Sequence, residues 1–118
     1  MTPSLTRRTM LAGAATIATA PLHRARAQDK KTVRIGILTD LNGPNAASNG
    51  KGSVVASQLA ADDFMKAHPD ITVEILSADY QSKPDVATSI ARDWIDTKGV
   101  NVITQLNNSA AALAVTNW

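Results

Sequence analysis

A glycine-rich loop, "TDLNGPNAASNGKGS" at residues 39–53, is the first stretch of this 118-residue chain that could do chemistry. It lies between an apolar run and a run of helical character, a setting in which backbone N–H groups often hold phosphate. The phosphate motif G-x-x-x-x-G-K-[ST] fails because Asn45 stands at its first glycine and Gly52 follows Lys51. The dinucleotide motif G-x-G-x-x-G is not matched, because Val55 stands at the position of its last glycine. We therefore expect neither a nucleotide nor another cofactor.

Residue patterns for catalysis or metal binding are also missing from the sequence. The two histidines, His23 and His68, are far apart, and no carboxylate cluster accompanies them. The Asp62–Asp63 pair lies on a predicted helix, where adjacent side chains point apart. No serine has the glycines of a nucleophile elbow, and the absence of cysteine excludes thiolate chemistry. We predict that the protein is not an enzyme and has no metal site.

The first 27 residues have the three parts of an export signal. Two arginines within "TRRTML" (residues 6–11) precede an uncharged run over residues 9–22, and the segment closes on Ala-Arg-Ala. The uncharged run is too short to span a bilayer, which takes about 20 residues. We predict cleavage between Ala27 and Gln28 and a periplasmic protein. The paired arginines resemble a twin-arginine signal, although methionine stands where phenylalanine is usual.

The charge of the mature part gives no reason to expect a nucleic-acid partner. Cleavage after Ala27 removes four of the twelve basic residues and none of the ten acidic ones, which leaves a net charge of −2. The remaining basic residues are scattered along the chain rather than grouped into a patch. We expect no nucleic-acid binding.

The rest of the sequence alternates between strand and helix patterns, which predicts an α/β fold with a parallel sheet and right-handed crossovers. β-branched and apolar runs mark the strands, and apolar residues at helical spacing mark the helices. The predicted elements are strands at 33–38, 71–78 and 100–105 and helices at 53–67, 82–98 and from about 109 onward.

Caps and apolar stripes define the predicted helices further. We expect Ser53 to cap the first helix, and Ser82 with Asp85 to form a capping box on the second. The Lys98–Gly99 pair predicts where the second helix ends. Two apolar stripes should face the sheet, one of Ala56, Leu59, Ala60, Phe64 and Ala67 and one of Val86, Ile90 and Trp94.

Three landmarks, in order, resemble the opening of a known family. They are Gly43–Pro44 after the strand of "VRIGIL", the acidic turn "DYQSKP" (79–84), and "GVNVI" (99–103) followed by "NNSA" (107–110). Together they resemble the type I periplasmic substrate-binding proteins of ABC importers, the Leu-Ile-Val group. The resemblance implies a Rossmann-like parallel-sheet lobe of a two-lobed fold. It also implies that residues 28–118 are the N-terminal, incomplete part of the first lobe.

The resemblance implies a function and partners as well. Members of this family capture an amino acid or a small, sometimes aromatic, carboxylic acid between two lobes and then dock on the membrane permease. We therefore expect a small-molecule ligand, permease subunits as partners and a monomer at full length. An exported sensor domain on the same fold is the alternative, and a membrane-spanning segment after the second lobe would favour it.

Site residues follow from the loops, because in open α/β sheets ligands lie beyond the carboxyl ends of the strands. In the first loop, Ser48 stands where the family often has an aromatic residue. The family's serine pair in the third loop falls on Asn108 and Ser109, and a helix that begins at Ser109 and Ala110 favours a carboxylate. In the second loop, Tyr80 either supplies a ring to the ligand or is a surface tyrosine of the turn, the commoner position.

Overall fold

The computed structural model describes residues 30–117, which form a three-stranded parallel sheet between helices. The predicted order of strands and helices is confirmed. The elements are β1 (Lys31–Thr39), α1 (Ala46–Asn49), α2 (Lys51–Ala67), β2 (Ile71–Asp79), α3 (Pro84–Lys98), β3 (Val102–Thr104) and α4 (Ser109–Thr116). The short helix α1 was not predicted, and β3 is shorter than predicted. The expected export signal and its cleavage between Ala27 and Gln28 lie outside the described residues.

Strand β1 is central, because the strand order is β2-β1-β3 and both pairings are parallel. Its last residue, Thr39, is level with Asp79 at the end of β2, and Ile37 is level with Thr104 at the end of β3. Residues 36–40 are all buried. The register therefore brings the loops after all three strands to one edge of the sheet.

One face of the sheet is packed by α3 and α4. Trp94 of α3 is 3% exposed and lies in a core cluster with Leu38 and Ala111. Its ring lies directly on the backbone of β1, since a Cβ placed on Gly36 would be 2.3 Å from a ring carbon. The prediction that Trp94 is a core residue is confirmed. Helix α3 ends as predicted at Gly99, whose φ of 61° is in the left-handed region.

The face of α2 that lies toward the sheet agrees only in part with the predicted stripe, since Ala60 and Phe64 line the groove beside the sheet. Every residue of the predicted stripe is exposed: Ala56, Leu59, Ala60, Phe64 and Ala67. Ala61 is buried instead, and the Sδ atom of Met65 accepts a hydrogen bond from the Val73 N–H at 3.2 Å. Apolar residues occupy more than one side of α2, so their spacing identifies the helix without fixing the side that faces the sheet.

An apolar groove of about 440 Å³ lies between α2 and the sheet. Its apolar lining from the strands is Val33, Ile35, Ile37, Ile71, Val73 and Ile75. Phe64 reaches the rim of the groove and remains 42% exposed. The α2 side of the sheet is thus less completely covered than the α3 side. Within residues 30–117 no helix combines the length and the apolar character needed to cross a bilayer.

Two predicted helix caps, on α2 and α3, are corrected by the structure, and the predicted start of α4 at Ser109 is confirmed. Helix α2 begins at Lys51, so Ser53 lies inside the helix. Helix α3 has Lys83 at its N-cap with no side-chain bond, and Ser82 has a φ of 54°, whereas an N-cap normally has β-region angles. The cap of α4 is Asn108, which places Ser109 at the first helical position.

Candidate functional site

Three loops meet at the carboxyl edge of the sheet, where α/β proteins bind their ligands. The first loop is residues 40–50 and contains α1, the second is 80–83, and the third is 105–108. A polar depression of about 340 Å³ lies between the first and second loops. It is lined by Asn42, Gly43, Asp79 and Gln81. The strands thus end in polar loops on which a small polar ligand could bind.

The first loop is organised by the buried carboxylate of Asp40. This carboxylate accepts hydrogen bonds from the N–H of Gly43 at 2.8 Å and of Asn45 at 3.1 Å, and from the hydroxyl of Ser82 at 2.9 Å. All three donors are neutral, and Asp40 is fully buried. A Cβ on Gly43 would be 2.4 Å from the Asp40 carboxylate, so this turn requires glycine. Asp40 therefore folds the first loop back upon itself and ties it to the second.

Ser48 lies at the exposed tip of the first loop, on α1. Its hydroxyl donates to the Asn45 carbonyl at 3.2 Å and accepts from the Asn49 amide at 3.0 Å. Below it, the Thr39 hydroxyl donates to the Asn49 carbonyl at 2.6 Å and holds α1 on the end of β1. Ser48 is thus accessible, while the helix that carries it is held on the end of β1.

Asp79 ends β2 directly before the second loop; the sequence placed it in the acidic turn but it was not predicted as a site residue. Its carboxylate accepts from the N–H of Leu41 at 3.2 Å, the N–H of Gln81 at 2.8 Å and the side-chain amide of Asn42 at 2.9 Å. Burial by itself raises the pKa of Asp79, but the hydrogen bonds from Asn42, Gln81 and Leu41 outweigh it and bring the pKa below its ordinary value. The ionised carboxylate thus links the first and second loops.

Tyr80 is fully buried, so the expectation of a surface tyrosine is wrong. Its ring lies in the core cluster with Leu38 and Ala87, and its hydroxyl donates to Oδ1 of Asn107 at 2.5 Å. In this position the ring is not available to stack on a ligand. Burial raises the pKa of the phenol, and the nearby carboxylate of Asp40 raises it further, so the hydroxyl keeps its proton.

The third loop presents the start of α4 at the same edge. Oδ1 of Asn108 accepts from the Ala111 N–H at 3.1 Å, which is a typical N-cap bond. Ser109 and Ala110 are exposed at the first two helical positions. The first N–H groups of a helix have no intrahelical acceptor, and the positive end of the helix dipole lies there. A carboxylate placed at this helix start would find donors and a favourable field.

The structure places four of the five predicted site residues at accessible or half-buried positions at this edge, in the first and third loops and at the start of α4, and Tyr80 beneath them. Sequence reasoning missed the residues that hold the loops together, Asp40, Asp79 and Asn107. A polar residue directly after a buried strand was the available indication for the two aspartates. Within the described part of the chain, His, Asp and Glu side chains form no group of three or more that could hold a metal ion.

The comparisons with known proteins agree with this architecture. A branched-chain amino acid ABC transporter periplasmic ligand-binding protein from Burkholderia xenovorans LB400 is 49% identical, with a TM-score of 0.67 over 72% of this chain and 23% of that one. A periplasmic binding protein from Burkholderia mallei is 36% identical, with a TM-score of 0.68 over 74% of this chain and 23% of that one.

A more distant structure shares the fold alone. It is a solute-binding protein of an ABC transporter from Rhodopseudomonas palustris BisB5 in complex with 3,4-dihydroxybenzoic acid. It is 23% identical, with a TM-score of 0.57 over 73% of this chain and 23% of that one. No curated protein matches this chain. The chain spans about a quarter of the length of these structural relatives.

A family model described as periplasmic binding protein matches residues 32–118. The parallel sheet with strand order β2-β1-β3 and helices on both faces is the fold of the type I members. The chain therefore belongs to the periplasmic binding proteins and is similar to those of branched-chain amino acid ABC transporters.

Proposed function

We propose that the protein is the extracytoplasmic solute-binding component of an ABC importer. It captures a small amino acid or an aromatic or other carboxylic acid between two lobes and delivers it to the membrane permease. The observation that carries this proposal is the convergence of three polar loops on the start of α4, at one edge of the sheet. The 49% identity to a branched-chain amino acid binding protein of an ABC transporter supports the same ligand class.

In this proposal the carboxylate end of the ligand binds at the third loop. Asn108 and Ser109 provide neutral donors, and the exposed helix start adds N–H groups. Charge-assisted hydrogen bonds of this kind bind a carboxylate without an arginine or a lysine. Ser48, at the tip of the first loop, is the proposed contact from the opposite side of the site.

Other expectations from the sequence become part of the proposal. The protein acts by binding and release rather than by catalysis, it is a monomer, and it uses no cofactor. Residues 1–27 direct it out of the cytoplasm, and the mature chain begins at Gln28. Residues 28–118 belong to the first lobe.

The test is titration calorimetry on the protein expressed from its complete reading frame, with L-leucine, L-isoleucine, L-valine and 3,4-dihydroxybenzoate as probes. Ser109→Ala removes one hydrogen bond to a charged group, which costs about 1.5–3 kcal/mol, or roughly ten- to a hundredfold in affinity. Ser89→Ala, an exposed serine on α3 away from the edge, is the matched control and leaves affinity unchanged.

Asn108→Asp separates loss of the cap from loss of the ligand site. Aspartate caps a helix about as well as asparagine, so α4 remains formed. Its negative charge repels a carboxylate, so binding of every probe weakens while stability stays the same. Unchanged affinity in both Ser109→Ala and Asn108→Asp would show that the carboxylate does not bind at the third loop.

A further inference from the structure

The second loop contacts both other loops, although it follows an edge strand. Strand β1 lies between β2 and β3. Neighbouring strands are about 4.8 Å apart, so the ends of β2 and β3 are separated by about 10 Å. Hydrogen bonds nevertheless run from the second loop to the first and from the second loop to the third. The side chains involved are Asp40, Asp79, Tyr80, Ser82 and Asn107, together with the amides of Asn42 and Asn45.

The link to the third loop runs through the hydroxyl of Tyr80, which bonds to Asn107 and has the Asn108 backbone as a further partner. The Tyr80 hydroxyl donates to Oδ1 of Asn107 at 2.5 Å, from a ring that is fully buried in the core. Asn107 is exposed, and its own N–H donates to the Gln105 carbonyl at 2.9 Å. Gln105 has a φ of 69°, a conformation that costs free energy in a residue with a side chain. The turn before α4 therefore has a strained backbone conformation, and Tyr80 is hydrogen-bonded to Asn107 within that turn.

The link to the first loop centres on a buried charge. Asp40 has no cation among its hydrogen-bond partners, which are two backbone N–H groups of its own loop and the Ser82 hydroxyl. A buried carboxylate loses much more when a donor is removed than an exposed one does. Ser82 can reach it because Gln81 and Ser82 both adopt positive φ, at 55° and 54°. The second loop thus adopts strained backbone angles that bring Ser82 to the carboxylate of Asp40 in the first loop.

We infer that Tyr80 and Asp40 are positioning residues, which hold the ligand-binding loops in their bound arrangement before the ligand arrives. Neither side chain is accessible to a ligand at this edge, since both are fully buried. Their effect on affinity comes from preorganisation, because a loop that is already ordered loses less entropy on binding. The inference rests on the proposed function in one respect, that these loops form the ligand site.

Tyr80→Phe tests the link to the third loop, because it removes the hydroxyl and keeps the buried ring. Hydrogen–deuterium exchange is measured without ligand on the protein expressed from its complete reading frame. We expect amides 107–112 to exchange about two- to tenfold faster, the factor that corresponds to one ordinary hydrogen bond. Amides of β1, such as that of Ile37, keep their wild-type rates. Affinity for whichever probe binds falls by a similar factor.

Two further variants make the test specific. Asn107→Ala removes the acceptor at an exposed position, so it speeds third-loop exchange even if Tyr80→Phe fails to fold, and combining the two changes adds nothing more. Thr88→Val is the matched control, because it deletes a part-buried hydroxyl that donates to the Pro84 carbonyl at 2.9 Å within α3. It leaves exchange in the third loop unchanged.

The outcomes separate this inference from the proposed function. Wild-type exchange at amides 107–112 in Asn107→Ala, or additive effects in the double variant, would overturn the positioning role. Faster third-loop exchange in both single variants, with no additional effect in the double variant, supports it. Exchange is read without ligand, so this result stands even where Ser109→Ala and Asn108→Asp show that the carboxylate binds elsewhere.

Discussion

The packing of Trp94 on Gly36 allows the cost of one methyl group to be worked out. In Gly36→Ala the new Cβ would lie 2.3 and 2.4 Å from two carbons of the Trp94 ring, where carbon atoms normally approach to about 3.5–4.0 Å. The ring has little room to move, because Trp94 is 3% exposed, and Gly36 is paired with Leu76 on one side and Ile103 on the other. Overpacking of this kind costs about 1–3 kcal/mol, and so close a contact belongs at the upper end.

Alanine also lowers the conformational entropy of the unfolded chain, which raises the free energy of unfolding by about 0.5–1 kcal/mol. The net expectation for Gly36→Ala is a loss of about 2 kcal/mol in the free energy of unfolding. Gly52→Ala is the matched control, because Gly52 lies in the first turn of α2 with nothing within 4 Å of its Cβ position. That variant gains up to about 1 kcal/mol. Urea unfolding of the protein expressed from its complete reading frame measures both. Equal stabilisation by the two substitutions would refute the described Trp94 packing.

Three other predictions concern pH, folding and export. The pKa of Asp79 is lowered in the folded state. Its contribution to stability is therefore present above the ordinary pKa of an aspartate and is lost as the pH falls through the lower folded value. In urea titrations, Asp79→Asn should flatten this acid dependence, and an unchanged slope would contradict it. Residues 28–118 alone should show no cooperative urea transition, because the apolar groove beside α2 is open to water; a sharp two-state transition would contradict this. Replacing Arg7 and Arg8 with lysine should block export by the twin-arginine route, and mature protein starting at Gln28 in the periplasmic fraction would exclude that route.

The sequence was sufficient for the order and type of the elements. Buried parallel strands appear in a sequence as continuous apolar runs, and Gly99 was recognisable as a glycine that ends a helix. Both features could therefore be identified from local sequence. The end of β2 and the limits of β3 were less accurate, because strand pairing rather than composition decides where a strand ends. The packed side of α2 was predicted only in part: Ala60 and Phe64 lie toward the sheet, whereas Leu59 and Ala61 are both apolar and only contact with the sheet distinguishes them.

Within the site, exposed residues were easier to predict than buried ones. The position of Ser48 and Ser109 at this edge was predictable because loops after parallel strands converge there. Tyr80 was misplaced, because turn tyrosines are commonly exposed and its acceptor, Asn107, is 27 residues later in the chain. The carboxylate of Asp40 was missed for a similar reason, since its hydrogen bond from Ser82 spans 42 residues. Such long-range pairing of polar groups has no local sequence pattern.

The first loop has an anchored base and an exposed tip, and under the proposed function this division affects how a new ligand specificity could arise. The base is held by Asp40, whose burial makes most substitutions there costly. The tip at Ala47 and Ser48 is exposed, and neither residue belongs to the core cluster. Residues at the tip can therefore vary in size and chemistry with little loss of stability. A mutational search for altered specificity would find its tolerated variation there and its inactive variants at the base.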